Sequence, residues 1–255
     1  MVKKFKDVID EKEYYIGSVN SYKQKPTDIN QNLKLKYNSD TFDVYIDEKL
    51  KVILITIRGT KPTSMGDLYA DYKIAWNNLQ ASNRFKTDIK RMDEIIKQYK
   101  PSQYLYFITG HSLGGAIVNE FIRRYPFIKY ATTFNGASQP QDIKIQNNDK
   151  VKRIYINKDF LYRLNNGYRY DRLKVLKYNP EQVRSFFDFV KRRFDYTPTM
   201  LKAHSLDQPA FRKLYNYEDG NPTILRNDYV EGGCKKKKKC KCKYKKIISK
   251  IINLK

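Results

Sequence analysis

The sequence predicts an α/β domain: a mostly parallel sheet with helices on both faces. Three observations predict it. Apolar runs of strand length alternate along the chain with stretches of helical period. One run, Val52, Ile53, Leu54 and Ile55, is continuously apolar, as a strand covered on both faces has to be. The segment YLYFITGHSLGGAIVNEF, residues 104–121, passes from one apolar run to another of different period through a tight Gly/Ser cluster.

The elements follow in order. Residues 33–60 alternate and then turn continuously apolar, which reads as an edge hairpin leading into a buried central strand. Residues 61–79 are mixed and loop-like at first. Between 83 and 100, Phe85, Ile89, Met92, Ile95, Ile96 and Tyr99 recur at helical spacing, and Pro101 stops the helix. A strand over 104–108 enters the Gly/Ser turn, and a helix with Ile117, Phe121 and Ile122 on one face runs on to Pro126. Further strands are expected at 129–134 and 151–157. Residues 180–194 read as an amphipathic helix with Val183, Phe186, Phe187, Val190 and Phe194 inward. Gly232 and Gly233 close the body. One domain is therefore expected over 1–231, followed over 232–255 by a Lys/Cys-rich tail that is disordered or forms a short amphipathic helix.

Charge sets this chain apart. Against 27 Asp and Glu stand 51 Lys and Arg, a net charge of +24. Eleven lysines and no acid lie from Lys235 to Lys255, and the body remains basic without them. Such a balance favours anionic partners, meaning a membrane surface or nucleic acid. No apolar segment approaches the ~18 residues of a membrane span, and the first residues lack the continuous apolar core of a signal peptide. All three cysteines (Cys234, Cys240 and Cys242) are in the tail. A body without cysteine argues against a disulfide scaffold and fits a reducing, intracellular compartment. The tail's Cys-x5-Cys-x-Cys spacing with no nearby His is a poor zinc pattern.

Ser112 stands in the middle of Gly110-His111-Ser112-Leu113-Gly114. Three fixed positions are weak by themselves, and the strand before and helix after supply the context. A sharp strand-to-helix turn lifts a serine hydroxyl above the sheet edge, and small residues at Gly110, Gly114 and Gly115 tolerate the crowding. The serine also sits at the amino end of a helix, where N–H groups can face a developing oxyanion. The rival readings are a helix cap and a phosphate cradle. The latter lacks both the Gly-Lys-Ser/Thr ending and the G-x-G-x-x-G spacing.

A nucleophilic serine needs a base, and the chain has two histidines. His111 adjoins Ser112 on the turn and points elsewhere, which leaves His204. The orienting acid is expected between Ser112 and His204 in the chain. Asp142, Asp149, Asp159, Asp171, Asp188 and Asp195 compete for that place. Asp159 is favoured because it follows the strand at 151–157, at the end where sites of parallel sheets collect.

Taken together, VILITIRGT (52–60), FITGHSLGGAIV (107–118), TTFNGAS (132–138), RIYINKDFLYRL (153–164) and AHSL (203–206) resemble the class 3, fungal-type lipases of the α/β-hydrolase fold. The resemblance spans roughly residues 30–210. It implies a lipase-like ester hydrolase working through Ser112, Asp159 and His204 by an acyl-enzyme, with no metal or organic cofactor. By it, Thr60 falls at the family's oxyanion residue and the N–H of Leu113 is the second donor. Three departures stand out. The loop over 61–66 is short and not very apolar, implying a small or absent lid. Leu68 takes the place of a family tryptophan in the acidic segment. Phe134-Asn135-Gly136-Ala137 replaces a Phe-Gly-x-Pro turn. Without a secretory signal or disulfides, an intracellular or virus-encoded member is expected.

Several readings stay open. The substrate is a lipid or another acyl ester, and a phospholipase or small-ester carboxylesterase would use the same residues. The tail, 234–255, is expected to contact anionic membrane, where each lysine near the surface contributes ~1 kcal/mol. Acylation of its cysteines would reinforce that contact. A nuclear-localisation or nucleic-acid role for the tail is the weaker alternative. The rival from another class is an inactive hydrolase fold that binds membrane or nucleic acid through its basic, aromatic-rich surface.

Overall fold

The computed structural model describes residues 8–60, 79–139, 142, 150–157, 159, 161–162, 173–176, 204–206 and 209–215. Among them a seven-stranded sheet runs in the order β1-β2-β3-β4-β5-β6-β7. Strands β1 (Lys34–Asn38), β2 (Phe42–Asp47) and β3 (Val52–Ile57) form an antiparallel meander. From β3 the sheet continues in parallel through β4 (Leu105–His111), β5 (Ile128–Phe134), β6 (Val151–Ile156) and β7 (Leu173–Leu176). The expected edge hairpin and buried central strand are both present: β1 alternates exposed and half-buried residues, whereas every residue of β3 is buried.

Alternation along the strands sorts the core into two layers. Ile53, Ile55 and Ile57 of β3 and Tyr106 and Ile108 of β4 face one layer. Helix α2 (Asn83–Gln98) lays Phe85, Met92 and Ile95 on it, and α3 (Leu113–Arg124) adds Ile117, Phe121 and Ile122. Leu54, Phe107 and Phe134 face the other layer, against Tyr14 and Tyr15 of α1 (Glu11–Asn20) and Phe211 and Tyr215 of α4 (Pro209–Tyr215). Each such side chain contributes about 1.5–3 kcal/mol when fully buried. Helices therefore cover both faces of the sheet, as the sequence predicts.

Three elements were not expected: α1, β7 and α4. Helix α1 starts with a reciprocal capping box, in which Glu13 N–H donates to Asp10 Oδ1 (2.9 Å) and Asp10 N–H to Glu13 Oε2 (2.8 Å). Its buried residues are Tyr14, Tyr15, Gly17, Ser18 and Asn20, so small and polar groups replace the usual apolar stripe. Ser18 pairs with Thr109 of β4 at 2.9 Å between hydroxyls. Glu11 ties the helix to the β6–β7 end of the sheet, accepting from Lys152, from Lys174 (2.5 Å) and from the Tyr215 hydroxyl (2.6 Å). Burial alone would raise the Glu11 carboxyl, but Lys174 and Lys152 outweigh it and hold the group below its ordinary value.

The helix expected at 180–194, most of the 61–79 loop and the basic tail lie outside the described residues. No helix among the described residues is long and apolar enough to cross a membrane.

Candidate active site

Strand β4 ends at His111 and helix α3 begins at Leu113, so Ser112 alone makes the turn between them. Its backbone sits at φ 57°, ψ −127°, a conformation costing about 1–3 kcal/mol for a residue with a Cβ. Three main-chain bonds hold it there. The Ser112 N–H donates to Phe134 O at 3.3 Å, and Ser112 O accepts from Gly115 and Ala137, each at 2.9 Å. Close packing completes the turn. A Cβ at Gly114 would lie 2.2 Å from the carbonyl oxygen of Ile57, so the start of α3 is pressed onto the end of β3. A Cβ at Gly59 would lie 2.7 Å from the Ser112 Cβ, so the chain leaving β3 passes directly against the serine. Although Ser112 occupies the N-cap position of α3, its side chain makes no capping bond.

The hydroxyl goes instead to His204. Ser112 Oγ lies 2.7 Å from His204 Nε2, and His204 Nδ1 lies 2.6 Å from Asp159 Oδ2. With a carboxylate at Nδ1, the neutral imidazole carries its proton there, and Nε2 accepts from the serine O–H. Asp159 is held in turn: its N–H donates to Ile156 O (2.9 Å), and Oδ1 accepts from the Tyr162 N–H (3.0 Å). All three residues are buried, with Ser112 1%, Asp159 0% and His204 2% exposed. The structure thus brings together the serine, the acid and the base that the sequence singles out.

The competing acid Asp142 is engaged elsewhere, with Arg123 (2.5 Å) and Asn119 (2.8 Å). Asp149, Asp171, Asp188 and Asp195 lie outside the described residues. Thr60 is half-buried and directly follows Gly59 where it meets the serine. Leu113 opens α3 on the other side of Ser112, and the first N–H groups of a helix have no partner within it. Among the described residues no group of three or more His, Cys, Asp or Glu side chains is placed to hold a metal ion.

Sequence reasoning missed the residues that carry the His204 main chain. The His204 carbonyl accepts from His111 Nε2 (2.7 Å) and from Asn135 Nδ2 (3.1 Å). Two residues on, Leu206 O accepts from the Tyr15 hydroxyl at 2.8 Å. His111 is buried beside the His204 ring, and burial first, then that neighbour, hold it well below the ordinary histidine value. The one signal available for these contacts was the asparagine at 135 in a turn where the resemblance has glycine.

No protein-family model matches the chain, and no curated protein matches it in sequence. Among solved structures it is similar to the Lip2 lipase of Yarrowia lipolytica, at 19% identity over 66% of this chain and 80% of that one, with a TM-score of 0.44. It is also similar to the Rhizomucor miehei triacylglyceride lipase, at 20% identity over 66% and 79% of the two chains and a TM-score of 0.41. A triacylglycerol lipase from Penicillium expansum is similar at 14% identity over 65% and 76%, with a TM-score of 0.39. These are likenesses of fold, and no residue role is carried across from them.

The packing at Gly114 makes a direct prediction. In Gly114→Ala the added methyl meets main chain rather than a flexible side chain. The expected destabilisation is about 3 kcal/mol or more, roughly 6–12 °C in thermal midpoint. A calorimetric scan showing an unchanged midpoint would contradict the close approach of α3 to β3.

Proposed function

We propose that the protein is a lipase-like serine ester hydrolase acting on acyl esters of lipids. The observation that carries this reading is the continuous bond chain from Ser112 Oγ to His204 Nε2 (2.7 Å) and from His204 Nδ1 to Asp159 Oδ2 (2.6 Å), on a serine free of any capping duty. A serine that only capped a helix would turn its hydroxyl to the backbone N–H groups of the first turn.

The chemistry follows from those positions. Ser112 Oγ attacks the ester carbonyl carbon while His204 Nε2 takes its proton. Asp159 keeps the imidazole oriented and offsets the charge of the imidazolium. The carbonyl oxygen becomes an oxyanion between the Thr60 and Leu113 segments, whose N–H groups stabilise it; such a donor is worth about 10²–10³ in rate. Collapse of the intermediate breaks the carbon–oxygen ester bond, and the departing alcohol takes the proton from His204. Water, deprotonated by the same histidine, then attacks the acyl carbon. The second intermediate collapses by breaking its bond to Ser112 Oγ, which takes the proton back from His204 as the fatty acid leaves. All these steps use side chains and main chain of the residues just named.

The domain over 1–231 is the hydrolase in this reading, and the lysine-rich tail over 232–255 docks it on an anionic surface. With ~1 kcal/mol for each lysine near such a surface, the tail's charge is ample for peripheral binding at physiological salt.

Two outcomes check this. Against a series of esters of rising acyl length, wild type should hydrolyse and Ser112→Ala should lose about 10⁴-fold or more in kcat/KM. The preferred chain length separates a lipase from a small-ester carboxylesterase, and equal inertness of both proteins on every ester would sink the enzyme reading. Deleting residues 234–255 should weaken binding to liposomes rich in anionic lipid while leaving hydrolysis of a soluble ester intact. Unchanged liposome binding would remove the tail from the mechanism.

A further inference from the structure

A histidine base must present one nitrogen to the acid and the other to the nucleophile, and a ring that turns about its own side-chain bonds can lose both. The bonds to Asp159 and Ser112 set the ring's rotation, and fixing the main chain beneath it holds the Cα from which the ring projects. A misplacement of ~1 Å can cost about 10²-fold in rate. The His204 carbonyl oxygen is held by two side-chain donors, His111 Nε2 at 2.7 Å and Asn135 Nδ2 at 3.1 Å. Two donors match the two lone pairs of a carbonyl.

Each donor stands at the end of a parallel strand. Asn135 follows β5 with φ 42°, a conformation asparagine tolerates better than most residues. Its N–H donates to Ile154 O (2.8 Å), and its Oδ1 accepts from the Ile156 N–H (2.9 Å). Ile156 O accepts in turn from Asp159 N–H. One amide therefore joins the strand that leads to the acid with the segment that carries the base.

His111 makes the second arm. A carbonyl can only accept, so Nε2 of His111 carries the hydrogen and Nδ1 presents a lone pair. The Tyr22 hydroxyl, 2.7 Å from Nδ1, is then the donor, and its oxygen accepts from the Gly59 N–H at 2.9 Å. The bonds run in one direction: Gly59 N–H to Tyr22, Tyr22 O–H to His111, His111 N–H to the His204 carbonyl. The groups facing His111 are Tyr22, the His204 ring at 4.8 Å and, across the Tyr22 ring at 6.0 Å, Arg58; Asp159 lies beyond His204. A charge on His111 would repel the imidazolium that forms on His204, and its burial keeps it neutral.

We propose that His111 and Asn135 are positioning residues that clamp the carbonyl of His204, with the Tyr22 hydroxyl tying that clamp to the Gly59–Thr60 segment. The proposal rests on reading Ser112 and His204 as nucleophile and base. It makes the oxyanion side of the site and its base parts of one hydrogen-bonded unit.

The chain has two histidines, so their ring nitrogens can be followed separately by ¹⁵N NMR on the full-length protein. In wild type, the buried His111 ring should hold the neutral Nε2–H tautomer at neutral pH. Tyr22→Phe, which deletes one oxygen, should move the His111 Nδ1 signal toward that of an unbonded ring nitrogen. It should also lower kcat about 10- to 100-fold with KM within about twofold. His111→Gln, whose amide nitrogen reaches the place of Nε2, should retain most of the kcat that His111→Leu loses. Tyr22→Phe should cost nothing further in His111→Leu, because both act on one arm, whereas Asn135→Gly should add to either. Additive losses in the Tyr22/His111 pair, or an unmoved Nδ1 signal in Tyr22→Phe, would overturn the proposal. A wild-type His111 that is charged or carries its proton on Nδ1 overturns it whether or not any ester is hydrolysed. A wild type inert on all esters with the expected spectra leaves the clamp standing and removes the enzyme reading instead.

Discussion

The close passage of main chain on main chain at Ser112 is what the rest of the site depends on. A φ of 57° on a serine persists only where its surroundings over-determine it. Here the carbonyl of Ile57 fills the space a side chain at Gly114 would need, and Gly59 lies against Ser112 itself. The three main-chain bonds at Ser112 contribute about 0.5–1.5 kcal/mol each, enough to offset a strain of about 1–3 kcal/mol. With the turn held, the hydroxyl is turned away from its own helix and toward His204.

The parallel part of the sheet explains why the other residues arrive at the same place. Gly59 and Thr60 follow β3, Ser112 follows β4, Asn135 follows β5 and Asp159 follows β6. Parallel strands end on a common edge, so residues far apart in the chain meet there without any long excursion. The base comes from outside the sheet and needs its own support. The α1 side supplies it through the Tyr15 hydroxyl on Leu206 O, and Tyr15 itself packs against Phe134 and Phe211. Burial of Ser112, Asp159 and His204 keeps water away from their bonds, which strengthens the electrostatics among them.

Ser112, Asp159 and His204 were legible in the sequence for three separate reasons. The serine sits in a strand–turn–helix pattern, the histidine is one of two, and the aspartate follows a strand on the correct side. The β1–β3 meander and α2 and α3 were legible because apolar residues recur at the period of each element. What stayed hidden depends on partners remote in the chain. Helix α1 buries Ser18 and Asn20, which bond to the Thr109 hydroxyl and, through Asn20 Nδ2, to the Thr27 carbonyl, in place of an apolar stripe. Only its Asp10 and Glu13 capping spacing hinted at a start. Strand β7 buries Lys174, which reads as surface until Glu11 is placed beside it. The clamp on His204 joins Tyr22, His111, Asn135 and a main-chain carbonyl, and no local spacing announces a bond to a carbonyl.

Covalent trapping of the serine is the most direct test. The protein should be treated with a fluorophosphonate, digested, and the modified peptide identified by mass spectrometry. The bond chain through His204 predicts a single adduct on Ser112, and its near absence in His204→Ala. No adduct at Ser112, or labelling indifferent to the loss of His204, would contradict the assignment of Ser112 as an activated nucleophile.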